Sequence, residues 1–143
     1  MRLPVRSRYG VRALFDLAYH APGGTAQIRE IARRQQVPIR YLEQVMLKLK
    51  KEGLVVARRG RHGGYALARD ASSVTLGDVL RATGGGLELP AREAGQFPGA
   101  IWKELQGSVH AAFDAVTLQD LCRRGEEAGM PRASGRVAPM YFI

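Results

Sequence analysis

The side chains best suited to recognition chemistry lie between Pro38 and Lys51 (PIRYLEQVMLKLKK) and between Arg58 and Gly64 (RRGRHGG). In the first stretch Arg40, Tyr41, Glu43, Gln44 and Lys48 share one arc of a helix. Ile39, Leu42, Val45, Met46 and Leu49 recur at helical spacing on the other arc and should face a core. An Arg fork matches the acceptor pair of guanine, a Gln amide matches adenine, and a carboxylate accepts from the cytosine amino group. Lys and Tyr supply donors for phosphate oxygens. Glu43 is the informative member, because a carboxylate facing a polyanion is repelled unless it meets a base. The alternative is an ion pair of Glu43 with Arg40 or Lys50 inside the chain.

The second stretch carries Arg58, Arg59, Arg61 and His62 on a tip built with Gly60, Gly63 and Gly64. Guanidinium groups are drawn to the narrow minor groove of A·T tracts, and glycine permits close backbone approach. A nucleotide-phosphate loop would need Lys-Ser/Thr and then a helix, and neither follows here. No nucleophile–base pair or paired carboxylates can be assembled, so an enzyme is not expected. His20, His62 and His110 lack metal-ligand spacing, so no zinc site is expected. Cys122 reads either as a small apolar residue on a helix or, beside Arg123 and Arg124, as a redox thiol of lowered pKa.

These residues need a scaffold, and the chain supplies one in order. Ser7 can cap a first helix whose inward face is Tyr9, Ala13, Leu14, Leu17 and Ala18, with Asp16 elsewhere, and Pro22-Gly23-Gly24 ends it. Arg2, Arg6, Ser7 and Arg8 lie at its start, where free N–H groups can hold a phosphate; the alternative is an ordinary capped helix. Thr25 is expected to cap a second helix running to about Gln35, with Gln27 at its entry. Gln36-Val37-Pro38 makes a turn, and the recognition stretch follows as a third helix. Leu54–Ala57, the basic tip and a returning strand form a hairpin. Thr75-Leu76-Gly77-Asp78 and Thr117-Leu118-Gln119-Asp120 read as capping boxes opening two further helices. Between them a Gly/Pro-rich loop spans 84–99, and a helix spans 100–116. Ile101, Trp102, Leu105, Val109, Ala112 and Phe113 give that helix a wide apolar stripe, expected to pair with a second copy; the alternative is burial within one subunit. The tail ends in the apolar Met140-Tyr141-Phe142-Ile143, which either docks or frays.

Helix, turn, helix, hairpin is the order of a winged helix-turn-helix. The expected fold is mainly α with a small β-hairpin wing. A DNA-binding domain spans 1–83, a flexible loop 84–99, and a dimerisation helix with the C-terminal segment 100–143. The totals agree. The chain of 143 residues carries a net charge of +9. Residues 1–70 hold 15 Lys/Arg against 5 Asp/Glu, and residues 71–143 hold 7 against 8, so the whole excess sits on the half with the recognition stretch. A hydrophobic content of 45% suffices for a core. There is no long apolar run and no signal-like start, and one cysteine fits a reducing compartment, so a cytoplasmic protein without membrane contact is expected.

The stretches RSRYGVRALFDLA, REIARRQQVPIRYLEQVMLKLKKEGLV and RRGRHGGYALARDASSVTLGDVLRA resemble the Rrf-two family of winged-helix regulators, whose best-known members are the iron–sulfur cluster regulator and the nitric-oxide-sensitive repressor. The combination of YLEQ, then KxGLV, then RGxxGGYxLA carries the resemblance, which covers roughly residues 1–125. It implies a homodimer on palindromic double-stranded DNA, with Tyr41, Glu43 and Gln44 in the major groove, Arg59 in the minor groove, and Ser7, Arg8 and Tyr9 near phosphate. Cluster-binding members carry three cysteines in the loop matching 84–99, plus a fourth ligand. This loop holds no cysteine and no histidine, so the resemblance points to a cluster-free repressor that answers to an effector protein or small ligand. The competing expectation is a winged-helix interaction module that docks a metabolic enzyme; the intact basic wing argues against it.

Overall fold

The computed structural model describes residues 2–86, 89–90 and 92–133. Its elements are α1 (Val5–His20), α2 (Ile28–Gln35), α3 (Ile39–Lys51), β1 (Val55–Arg58), β2 (Gly64–Leu67), α4 (Leu76–Ala82), α5 (Ala100–Asp114) and α6 (Leu118–Glu127), with a 3-10 turn at Ala71–Ser73. The strands pair antiparallel in register Val55↔Leu67 to Arg58↔Gly64. Among the described residues the winged helix-turn-helix order therefore stands as expected. The apolar end at Met140–Ile143 lies outside them.

α1, α2 and α3 pack around one core. Leu14, Leu17, Ile31, Leu42, Met46 and Leu49 are all at most 1% exposed, and each such side chain stabilises the fold by about 1.5–3 kcal/mol relative to exposure. On α3 the buried stripe is Leu42, Val45, Met46 and Leu49. Ile39, expected beside them, is 41% exposed at the first position of the helix. α6 closes the same core through Leu118, so the described C-terminal segment is continuous with the first 83 residues. The two predicted capping boxes are present: Thr75 and Asp78 bond each other's backbone N–H groups at α4, and Thr117 and Asp120 do so at α6. The two capping segments form an isolated antiparallel bridge at Thr75↔Thr117, with Leu76 N–H donating to Val116 and Leu118 N–H to Val74, both at 2.9 Å.

Three local expectations are corrected. α1 begins at Val5 with Pro4 as N-cap, not at Ser7. A proline has no N–H to leave unsatisfied and its φ is preset, while its carbonyl accepts from Ser7 and Arg8. The Ser7 side chain is buried instead and bonds the Thr83 hydroxyl at 2.8 Å. Beside it, Arg6 donates to the carbonyls of Thr83 and Gly84 at 2.6 and 2.8 Å, closing the C-terminus of α4. Second, α2 is capped at Gln27 rather than Thr25, and the Gln27 N–H donates to Glu30 Oε1 at 3.2 Å. Third, Asp16 points inward. It is fully buried and receives Arg34 Nε and Nη2 at 2.9 and 2.7 Å and Gln35 Nε2 at 3.0 Å, which ties α1 to α2.

The turn between α2 and α3 depends on Gln36, which adopts φ 54, ψ 51. A non-glycine residue there costs about 1–2 kcal/mol. The N–H of Val37 donates to Ala32 at 3.0 Å, and Pro38 takes the N-cap of α3.

Candidate nucleic-acid interface

α3 presents Arg40, Tyr41, Glu43, Gln44 and Lys48 to solvent, opposite its buried stripe. The ion pair of Glu43 with Arg40 or Lys50 does not form: among the described residues no salt bridge involves Glu43. Its carboxylate stands free on the same face as Gln44. Tyr41 is held from behind. Its ring meets Tyr9 of α1 edge to face, with centroids 5.3 Å apart and planes at 87°.

The wing stands beside this face. Arg58, Arg59, Arg61 and His62 are exposed at its tip. An open groove of about 480 Å³ joins Gln27, Ile28 and Arg29 of the α2 entry to Ile39 of α3 and to Arg58 and Tyr65 of the hairpin. One cleft is thus bordered by the first turns of two helices and by the basic hairpin. Every formal charge contributed to its lining, Arg29 and Arg58, is positive, as anion recognition requires. Nothing in the sequence sets Arg29 apart from the other charges of α2, and Thr25 reads there only as a helix cap; the placement of the hairpin is what puts Arg29 on the cleft.

Two predicted contact residues are corrected. The Ser7 hydroxyl is engaged by Thr83 in the interior and cannot reach phosphate. Gly63 is buried, and its N–H donates to Gly60 at 2.9 Å. A Cβ at Gly63 would lie 2.5 Å from the Arg58 carbonyl, so this glycine shapes the tip rather than offering its N–H to a ligand. Arg8 remains exposed at the start of α1, and Tyr9 is half-buried as the support of Tyr41.

On α5 the six apolar residues divide. Val109 and Phe113 line a small groove with Leu80 of α4 and Leu3. Trp102 stacks on Phe97 at 5.7 Å and donates from its indole to Glu93 at 3.0 Å. Leu105 is 43% exposed and Ala112 is also outward, while Ile101 is half-buried. No residue of α5 is fully buried.

The expectation of a redox thiol is not supported at Cys122. Burial pushes the thiol up; Arg132, rather than Arg123 or Arg124, opposes that, while Glu126 adds to it. Among the described residues no three His, Cys, Asp or Glu side chains come together as a metal site. No helix there is long and apolar enough to cross a membrane.

The comparisons with known proteins agree with this geometry. The family model described as Rrf2, iron-dependent transcriptional regulator, matches residues 3–124. The chain is 35% identical over 133 residues to protein rrf2 of Nitratidesulfovibrio vulgaris, covering 86% of this chain and 88% of that protein. It is 32% identical over 153 residues to the HTH-type transcriptional regulator IscR of Salmonella paratyphi B, covering 95% and 93%. Among solved structures, T. potens IscR superposes with a TM-score of 0.77 at 34% identity, over 93% of this chain and 94% of that one. CymR, the global cysteine regulator of B. subtilis, follows with 0.75 at 29% identity, over 87% and 98%. Winged helix, basic cleft and sequence match converge: this chain belongs to the Rrf2 family of DNA-binding transcriptional regulators.

Proposed function

We propose that the chain acts as a homodimeric repressor on a palindromic operator, without an iron–sulfur cluster. The N-terminal half of α3 enters the major groove, where Arg40, Glu43 and Gln44 read base edges and Tyr41 and Lys48 contact the backbone. Arg59, with Arg58, Arg61 and His62, meets the adjoining minor groove, and Arg8 holds phosphate. The observation that carries this reading is the cleft between the first turn of α3 and the wing, bordered only by cationic charge.

Dimerisation is supported by α5, which leaves Leu105 and Ala112 uncovered and buries none of its 15 residues within one chain. A second copy on that helix would set two recognition helices one DNA turn apart, about 34–36 Å. The donor chemistry does not fit the cluster implied by the iron-dependent family description. A cluster needs four ligands, mostly thiolates. Residues 84–99 contain no Cys or His, and Cys122 is a half-buried thiol whose pKa is raised. The signal is therefore assigned to an effector protein or small ligand acting at the Gly/Pro-rich 84–99 segment.

Gel shifts with the duplex upstream of the chain's own gene test the reading. Specific retardation should weaken with salt at a log–log slope of about −0.9 per phosphate neutralised. Equal retardation of that duplex and of a scrambled one would refute sequence-specific binding.

A further inference from the structure

We infer that Thr25 is a positioning residue for the wing: its hydroxyl holds the His62 carbonyl and so fixes where Arg59 and Arg61 stand relative to α3. This rests on the proposed contact of the wing with DNA and adds what keeps that wing in register. Thr25 lies in the connection between α1 and α2, and its Oγ1 donates to the His62 carbonyl at 2.6 Å. The hydroxyl is not used as a helix cap, because Gln27 occupies the N-cap of α2. The neighbouring Ala26 is fully buried and exchanges both backbone hydrogen bonds with Tyr65, at 2.9 and 2.8 Å. The approach is so close that a Cβ at Gly64, where φ is 137°, would lie 2.5 Å from the Ala26 carbonyl.

The hairpin is therefore held at two levels. Its returning strand is fixed near the tip by the backbone bonds between Tyr65 and the buried Ala26. Its tip, closed on itself by the Gly63 N–H to Gly60, is tied to the body through a side chain, and only a hydroxyl donor at position 25 makes that tie. Without it, the turn carrying Arg59, Gly60, Arg61 and His62 would swing about the Ala26–Tyr65 bridge. Thr25 leads directly into α2, which is locked to α1 by Asp16 and Arg34 and packs on α3. The bond thus refers the guanidinium groups to the frame that carries the recognition helix. Threonine suits the task, since β-branching restricts χ1 and presets the hydroxyl.

The experiment is binding-site selection from a random duplex pool with the full chain, followed by titration of the selected duplex. Thr25→Val, which keeps shape and removes the donor, should blur the preference at the flanking positions read by the wing. It should lower affinity about three- to ten-fold, the scale of one hydrogen bond. The helix-read positions and the thermal midpoint should stay as in the parent. Thr25→Ser should restore the preference, and in a background carrying both Arg59→Ala and Arg61→Ala, Thr25→Val should add nothing. Sharp flanking preferences in Thr25→Val alongside blurred ones in Arg59→Ala would overturn the inference and leave the wing's role standing. Loss at helix-read and wing-read positions alike would assign Thr25 to folding and overturn it as well. Unchanged flanking preferences in Arg59→Ala would remove the wing contact and the inference with it.

Discussion

Tyr9 of α1 and Tyr41 of α3 meet edge to face with ring centroids 5.3 Å apart, which joins the first helix of the scaffold to an exposed side chain of the recognition stretch. Tyr41 is 39% exposed, so its ring is supported by Tyr9 and still open to solvent. Such pairs contribute about 0.5–1.5 kcal/mol beyond area burial. A double-mutant cycle of Tyr9→Ala and Tyr41→Ala should return a coupling of that size in unfolding free energy. Tyr9→Phe should keep both the coupling and operator affinity, because the ring edge rather than the hydroxyl makes the contact. A coupling near zero would mean that Tyr41 is placed by α3 alone.

Gln44 and Lys48 lie one helical turn apart on the exposed face of α3, yet they should fail differently. Gln44→Ala should reduce the preference for operator over random duplex by about 1–3 kcal/mol. Lys48→Ala should weaken both duplexes alike and lower the salt slope by about one. Competition titrations at several salt concentrations separate the two. Uniform loss in Gln44→Ala would move that residue to the backbone.

Arg34 and Asp16 form the polar joint between α1 and α2. The guanidinium's pKa is raised by its hydrogen bond to Asp16, and the carboxylate is fully buried. Removing the cation leaves an uncompensated interior charge, which typically costs about 3–5 kcal/mol. Arg34→Ala should shift the urea midpoint accordingly at unchanged slope. Arg34→Lys should recover only part of the loss, since an ammonium cannot reproduce the two-pronged contact. A midpoint within error of the parent would show that α1 and α2 are held by apolar packing alone.

That joint also shows where sequence patterns stop. The buried stripe of α3, both Thr-x-x-Asp caps and the hairpin were legible because each is encoded within a few residues. Asp16 was read as outward because a carboxylate on an amphipathic helix normally is, and nothing near it in the chain announces Arg34 eighteen residues later. Ser7 looked like a cap for the same reason: its partner Thr83 is distant, and only folding brings them together. Gln36 carries no glycine signal, so its left-handed conformation is imposed by the neighbouring helices. For the candidate site, residue types and spacing pointed to α3 and the wing, and the structure exposes the basic side chains of both. Which glycine shapes the tip, and that Thr25 holds it, depended on contacts between separate segments.

His20, at the end of α1, carries the pH dependence. Its Nδ1 accepts the N–H of Ala133 at 2.9 Å, so the segment after α6 is fastened to a neutral imidazole. Arg132 stacks over Tyr19 at 4.1 Å in the same strap. The His20 pKa is lowered from 6.5, first by burial, with Arg34 and Arg132 lowering it further and Asp16 opposing. The unfolded chain therefore takes up this proton at a higher pH than the folded one. Stability from this site is complete above about 6.5 and falls as the pH drops through the lower folded value. Acidification across that window should lower the urea midpoint and unprotect the Ala133 amide in hydrogen exchange. His20→Gln, which cannot take up a proton, should flatten both responses. If the variant keeps the parent's acid slope, other groups titrate there and the strap does not depend on His20.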